Sequence, residues 1–580
     1  MTITTLRAAI LGSAAALSLN ACGGTDAESP SAKTEKIVAS AASNASPLDA
    51  PFRLKNAEAV DVGALMTALD LDETVTIGAS SFDSELGATI LTDVAVAGED
   101  ATTIGRVEIY GLDTDAVEAL NAGETFDQPK EVFRKLRFFD IESSYALDTA
   151  LEMADMDANA DASAPQKGTV TIAAMELDGL SLQGQGPDSP DEEASPEDQR
   201  KFFAAAAQSM AFGGMAMKGL NYAMEGNEGE GEMGLTVTAD DVRAGAYKDG
   251  RFAGLYMRDM DYSFTRSEEA VAEQLAALGP QAGMIMNTPL KSLMFPETQA
   301  GTVREFSWDG FSMEGLLSHL EKGEEPPLNA KGLLSVGELE ILDQTVMVNG
   351  KLAATVKRSA MDPIQFHHFM PKQIKFVSEG AVTDLTAYVD DTQEEIRSVL
   401  EKNGLQSVEG SSKMVYTYDP KSGGIDITSS GKGDGLYAMD FDLKVTDFDY
   451  ESLASSQVDE AGKEAALQNL KINNVTLRLD DDKMLDTIFA VVGVANDQDP
   501  AQLRSQAMGL LALGALQGAQ ISPRISQYAT ALSSFVGEGG TLEVKVAPDA
   551  PVTLGELAEG SEGQPAAMLD LLNLTVERSD

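Results

Sequence analysis

The feature that most restricts the fold is the alternation of apolar and polar side chains between residues 436 and 446. The apolar positions are Tyr437, Met439, Phe441, Leu443 and Val445. Because successive side chains of a strand point to opposite sides, this pattern predicts a strand with one buried and one solvated face. Two more β-type segments, 413–418 and 425–430, precede it and flank a turn that begins at Asp419-Pro420. The sequence therefore predicts an antiparallel sheet.

Helical patterns alternate with such strands. Ser195-Pro196 predicts a helix start, since a serine cap and a first-turn proline both favour one, and the helix is expected to run from about 197 to 224. Further helices are expected at 483–495, 501–518 and 523–536. We therefore expect an α+β fold, with long antiparallel strands and meanders packed against helices rich in alanine and methionine.

Two local motifs give sharper predictions. Lys248-Asp249-Gly250-Arg251 is expected to form a two-residue hairpin turn, because Asp-Gly tolerates the positive φ angles that such a turn requires. Thr392 and Glu395 fit a capping box at the start of a helix in which Ile396 and Leu400 share one face.

The chain is long enough for more than one hydrophobic core. We expect a signal peptide at 1–21, an acylated cysteine with a flexible tether at 22–50, and an N-terminal α+β domain at 51–320. The run Glu321-Lys322-Gly323-Glu324-Glu325-Pro326-Pro327 predicts a linker at 321–330. A C-terminal α+β domain at 331–580 is expected to follow.

Charge excludes one class of partner. The chain has 42 Lys and Arg against 93 Asp and Glu, which gives a formal net charge of −51. Such a polyanion cannot neutralise phosphates, so general binding to DNA or RNA is excluded. Cys22 is the only cysteine, so no intramolecular disulfide can form, and the fold depends on packing.

The N-terminus has the features of an export signal. Arg7 precedes a short apolar run from Ala8 to Leu19, and the run ends at Leu19-Asn20-Ala21-Cys22. Residues 1–24 resemble bacterial lipoprotein precursors, in which leucine, a variable residue, a small residue and cysteine form the lipobox. The resemblance implies lipidation of Cys22 and attachment to the cell envelope. Gly23 in place of aspartate implies the outer membrane, on its periplasmic side or at its surface.

No catalytic, cofactor-binding or metal-binding residues are predicted. The G-x-G-x-x-G spacing at 229–234 carries two glutamates that would repel phosphate, and it follows a predicted helix where a strand is required. The three histidines, His319, His367 and His368, are not spaced as zinc ligands. Ser429 and Lys432 fit S-x-x-K by chance. An acidic run at 155–161 lacks the glycine and glutamate of a calcium loop.

These observations favour a non-enzymatic envelope lipoprotein. The first hypothesis is that it binds a lipid or another apolar ligand in a β-lined groove. The general pattern of long strands resembles large periplasmic lipid-handling proteins of the AsmA-like kind, at the level of fold only. The alternative is a scaffold that docks an envelope protein through methionine-rich helices near 202–224 and 484–518. A hydrolase with a dispersed site is the third hypothesis.

Overall fold

The computed structural model describes residues 46–68, 74–98, 101–146, 167–184, 194–228, 231–277, 295–389, 391, 393–455, 458–561 and 565–580. These residues form antiparallel strands and helices, which confirms the predicted α+β class. The chain divides into two compact units. The first unit contains residues up to 273 and 300–341, and the second contains 274–299 and 342–580. Residues 321–330, predicted as a linker, lie within the first unit.

Most strands of the first unit form an antiparallel sheet in the order β1-β2-β3-β4-β5-β7-β8-β11. The strands up to residue 336 are β1 (Val75–Asp83), β2 (Ala88–Val96), β3 (Thr102–Leu112), β4 (Lys130–Ala146), β5 (Lys167–Leu182), β6 (Met210–Ala211), β7 (Gly214–Glu228), β8 (Gly231–Ala244), β9 (Tyr247–Lys248), β10 (Arg251–Phe252), β11 (Leu255–Arg266), β12 (Thr298–Trp308), β13 (Phe311–Ser312) and β14 (Ser335–Val336). Strands β9, β10, β13 and β14 form a separate small sheet.

One side of the first sheet is a hydrophobic core. Directly paired side chains on five neighbouring strands form a buried line that we call the core row: Val107, Phe138, Met175, Met217 and Val242. Each is at most 7% exposed. The helices of this part of the chain are α1 (Val62–Ala68), α2 (Thr114–Asn121), α3 (Pro196–Gln208), α4 (Glu268–Ala277) and α5 (Glu314–Leu320).

The helix predicted from 197 to 224 is wrong beyond residue 208. Helix α3 begins after the Ser195 cap as expected, but the chain then enters strand β7. Gly214 and Gly219 have φ angles of 152° and 61°, which no right-handed helix contains. Strand β7 pairs along its length with β5 and β8, so sheet pairing outweighs the local helical preference of the alanines and methionines.

The second unit has an antiparallel sheet in the order β16-β18-β19-β20-β21-β22-β23-β25. Strands from residue 339 onward are β15 (Leu339–Val348), β16 (Lys351–Met361), β17 (Gln365–His367), β18 (Met370–Thr383), β19 (Val408–Asp419), β20 (Gly424–Gly433), β21 (Tyr437–Thr446), β22 (Lys471–Asp481), β23 (Gly540–Val546), β24 (Val552–Thr553) and β25 (Leu574–Ser579). Its helices are α6 (Glu394–Lys402), α7 (Tyr450–Ala454), α8 (Glu460–Gln468), α9 (Met484–Ala495), α10 (Pro500–Gly518), α11 (Pro523–Glu538), α12 (Leu554–Ser561) and α13 (Pro565–Leu571).

Several local predictions are confirmed in detail. The hairpin of β19 and β20 turns at Asp419 to Gly424, and helices α9, α10 and α11 lie where the sequence predicts them. Asp249 and Gly250 have φ angles of 50° and 75°, as the two-residue turn requires. Ile396 and Leu400 are the buried face of α6, whereas Thr392 lies outside the described residues. Within the described ranges, every helix is too short or too polar to cross a bilayer.

Candidate functional site

The most unusual surface of the second unit is an apolar line across its sheet. The residues are directly paired from strand to strand, so their side chains share one face, and we call them the apolar row: Met361, Phe376, Met414, Ser429, Phe441, Leu477, Val544 and Val576. Seven of these eight side chains are apolar. The composition of the row is therefore typical of side chains in a buried hydrophobic core.

The apolar row is not buried. Met414 and Leu477 are 39% and 37% exposed, and the other six members are half-buried. Met439, two residues from Phe441 on the same strand face, is 40% exposed. The prediction that one face of strand 436–446 is buried is therefore wrong, since only Val445 of its five apolar side chains is buried. In the described part of the chain, the middle of this face is therefore incompletely covered.

The buried apolar clusters of the second unit lie elsewhere. One, among the described residues, gathers Val389, Ile396, Leu400, Leu405 and Val408, and another gathers Val348, Ala353 and Ala387. Neither contains a member of the apolar row. Helix α11 packs against β23 and β25, which lie at the Val544–Val576 end of the row. The row is thus covered near one end and open in its middle.

The opposite face of the same strands is polar. Lys413, Ser430, Asp440 and Arg478 are paired in line across four strands, each one residue away from a member of the apolar row. Ser429 belongs to the apolar row, whereas Lys432 is three residues further along β20 and points to the polar face. There its Nζ lies 2.7 Å from Asp434. The two residues of the S-x-x-K match therefore lie on opposite faces of the sheet.

The first unit has a contrasting surface on the face opposite its core row. Glu108, Arg137 and Glu176 are directly paired across β3, β4 and β5, and Lys135 is their neighbour. All four residues are at most 6% exposed, and we call them the ionic cluster. Arg137 Nε donates to Glu176 Oε2 at 2.7 Å, and Lys135 Nζ forms an ion pair with the other Glu176 oxygen.

Residues 46–52, the N-terminal segment, cover this cluster. The two terminal nitrogens of Arg137 donate to the carbonyl oxygens of Ala50 and Pro47 at 2.9 and 2.8 Å. Phe52 packs edge-on against Tyr110 with ring centres 5.0 Å apart, and Lys135 Nζ lies 4.8 Å from the Phe52 ring. The end of the predicted tether, residues 46–50, is therefore part of the first unit.

Each charged group of the cluster has a partner within the cluster or on a residue beside it. Tyr110 donates to Glu108 Oε2 at 2.7 Å, and burial together with this carboxylate raises the pKa of the Tyr110 phenol. A cavity of about 270 Å³ adjoins the cluster and is lined in part by Pro47, Lys135 and Tyr256. It lies just below the size range of pockets for drug-sized ligands. We infer that the role of the ionic cluster is to hold the N-terminal segment in place.

The three histidines belong to neither the apolar row nor the ionic cluster. His319 is in α5, His367 ends β17, and His368 Nδ1 lies 2.9 Å from the Tyr450 hydroxyl. No group of three or more His, Cys, Asp and Glu side chains in the described part of the chain is arranged to hold a metal ion. Residues 232–234 of the G-x-G-x-x-G run lie in β8. Cys22 and the acidic run at 155–161 lie outside the described residues.

Comparison with known proteins adds one partial match. The model of a family described as "Uncharacterized protein" matches residues 430–579, which is less than half of the chain. The matched range contains strands β21 to β25 and therefore the half of the apolar row from Phe441 to Val576. No curated protein matches the chain.

Proposed function

We propose that the chain is a non-enzymatic lipoprotein of the bacterial cell envelope that binds an acyl chain, alone or as part of a lipid, along the apolar row. The predicted lipid on Cys22 would hold it at the outer membrane. The main observation behind the proposal is the exposure of Met414, Met439 and Leu477. They lie on a sheet face whose apolar composition is typical of a buried core.

The length of the row fits this occupant. Eight strands at about 4.8 Å spacing give a row of roughly 34 Å from Met361 to Val576. One leaflet of a bilayer has about half of the ~30 Å hydrocarbon thickness, so a single acyl chain is about 15 Å long. The stretch from Met414 to Leu477 spans three strand spacings, or about 14 Å, which matches an acyl chain that lies across the strands.

The chemistry of the row also favours a hydrocarbon. None of its eight side chains carries a charge, and Ser429 is its one polar member. A methylene group that leaves water for an apolar surface contributes about 0.8 kcal/mol when fully buried, and about half of that when covered on one side. Methionine side chains adapt to irregular ligands, which suits a chain without fixed shape.

The proposal is tested with the acylated protein extracted from membranes. Mass spectrometry of the native protein is expected to detect lipid that dissociates on unfolding, and a fluorescent fatty acid is expected to bind competitively with it. Met414→Asp and Leu477→Asp should each weaken that binding, because a carboxylate would face the hydrocarbon. Lys413→Asp, one residue away on the polar face, is the matched control.

Equal binding by all these variants would overturn the proposal of a ligand on the row. The anchor is tested separately by the mass of the N-terminal peptide, which should begin at Cys22 and carry acyl groups. An unmodified Cys22 in a chain that still carries residues 1–21 would contradict the lipoprotein assignment.

A further inference from the structure

The hairpin of helices α10 and α11 differs in charge from the rest of the chain. Residues 500–537 contain no Asp or Glu, although acids make up 93 of the 580 residues. Arg504 and Arg524 are the charged residues of this 38-residue stretch. The hairpin is therefore a surface without negative charge in a chain whose net charge is −51.

The inner side of the hairpin is fixed to the second unit. Arg504 forms an ion pair with Asp486 of α9, and its guanidinium lies 5.0 Å from the Phe489 ring. Tyr528 donates to the Leu574 carbonyl of β25, and Phe535 is buried. These contacts determine which side of the hairpin faces away from the body.

The outer side is the most exposed apolar surface among the described residues. Leu510 and Leu516 are 71% and 70% exposed, and Leu513 and Ile521 are 52% and 57% exposed. At about 100° per residue, the three leucines lie within roughly 120° of the α10 circumference. Side chains built at Gly509 or Gly514 would meet nothing within 4 Å, so these positions add open backbone to the same helix.

We propose that this outer side binds the surface of a phospholipid bilayer, with α10 in the membrane plane and its leucines at the boundary between headgroups and acyl chains. Exposed leucines on a surface helix contribute to such binding in proportion to the apolar area that leaves water. Charge supports a bilayer surface as the occupant, because residues 500–537 carry no carboxylate that anionic headgroups would repel. It also favours this part of the molecule, because the acidic remainder is repelled by anionic lipid.

The inference extends the proposed function but does not depend on it. Acyl-chain binding concerns the apolar row on the sheet, whereas bilayer contact concerns Leu510, Leu513 and Leu516 on α10. Loss of fatty-acid binding in the row variants would leave the hairpin result unchanged, so the two proposals fail separately.

The lone cysteine makes a direct test possible. If Cys22 is acylated, the purified chain has no free thiol, so Leu516→Cys introduces a single site for an environment-sensitive fluorophore. The labelled, acylated protein is reconstituted into vesicles of phosphatidylethanolamine and phosphatidylglycerol that contain either no quencher or lipids with chain-attached quenchers. The matched control is a label at Glu460→Cys, whose native side chain in α8 is 92% exposed.

The Leu516 label is expected to be quenched several times more strongly by the lipid quenchers than the Glu460 label, and to be shielded from aqueous iodide. Replacing Leu510 and Leu513 by Asp should return a label at Leu516 to the aqueous pattern while the circular dichroism spectrum stays unchanged. Equal iodide quenching at both sites would overturn the proposal. A second result would also overturn it. If the Leu516 label is shielded from iodide but not quenched by the lipids, and the Leu516→Cys positions of two copies can be cross-linked, the surface serves self-association.

Discussion

The main strand arrays of the two units each contain a face that reverses the usual relation between polarity and burial. In the first unit, Glu108, Lys135, Arg137 and Glu176 are buried beneath the N-terminal segment. In the second unit, Met414, Met439 and Leu477 are more than a third exposed. Both sheets have the same alternating strands, so alternation specifies which residues share a face and leaves open what covers that face. Residues 46–52 cover the polar face in the first unit, whereas none of the described residues buries the middle of the apolar row in the second.

The largest expected effect is the loss of the buried carboxylate of the ionic cluster. Glu176→Gln leaves Lys135 and Arg137 buried without their common counter-charge, and we expect a loss of about 3–5 kcal/mol in the free energy of unfolding. Denaturant unfolding followed by Trp308 fluorescence measures this, because the single tryptophan belongs to the first unit. Glu142→Gln, at an exposed position of β4 in the same unit, is the control and should change stability by less than about 0.5 kcal/mol. Equal effects would contradict the contrast between the sheets.

The second prediction compares two methionines directly. Met217 in the core row is 1% exposed and Met439 beside the apolar row is 40% exposed. Met217→Ala is expected to cost about 2–5 kcal/mol, since it removes buried contacts and leaves a cavity. Met439→Ala is expected to cost less than about 1 kcal/mol in the free protein. Unfolding is followed by circular dichroism, and a large loss for Met439→Ala would mean that the apolar row is a closed core.

The same contrast explains what the sequence can and cannot predict. The pairing of β19, β20 and β21 follows from turn residues and alternation, which are local, and helices α9 to α11 follow from composition and caps. The end of α3 at Gln208 does not follow from local patterns, because strand β7 pairs with β5, whose partner residues lie 36 to 58 positions upstream. The exposure of Met414 likewise depends on what packs above it, which alternation along a strand does not specify.

The sequence contains a charge pattern that indicates the ionic cluster. Lys135 and Arg137 are two residues apart on one strand, and Glu176 and Asp178 have the same spacing on the next. Opposite charges at the same spacing on neighbouring strands are typical of cross-strand ion pairs. That pattern gives no indication of burial, however, because the cover comes from Pro47 and Ala50, about 90 residues upstream.

The third prediction concerns the cover itself. Phe52→Ala removes the ring that packs against Tyr110 and lies beside Lys135, and we expect a loss of about 2 kcal/mol in the free energy of unfolding. Hydrogen exchange of residues 46–52 should rise in the variant before global unfolding begins. Phe203→Ala on α3 is a suitable control, because Phe203 is 48% exposed. Unchanged exchange would mean that the segment is held without Phe52.

The second unit is expected to be sensitive to alkali. Burial, assisted by the neighbouring Tyr450 and Glu451, raises the pKa of Tyr418 to about 12. A phenol whose pKa is higher in the folded state than its ordinary value near 10 contributes stability below pH 10, and this contribution is lost as the pH rises towards 12. Tyr418→Phe keeps the ring and removes the proton, so it should flatten that part of the stability profile. An unchanged profile would show that the phenol titrates normally.

The smallest expected effect is at the edge of the N-terminal segment, where the Lys218 ammonium pairs with the exposed Asp49 carboxylate. The hydrogen bond from Lys218 lowers the pKa of Asp49, so the pair contributes above the ordinary aspartate pKa and its contribution is lost as the pH falls through the folded value. Because water and salt screen an exposed pair, Lys218→Ala should alter stability far less than Glu176→Gln, and its small effect should vanish in high salt. Stability profiles measured between pH 2 and 7 at about 0.01 and 1 M salt test this. A large effect that persists in salt would place the control of the N-terminal segment at its exposed edge, and the ionic cluster would no longer be what distinguishes the two sheets.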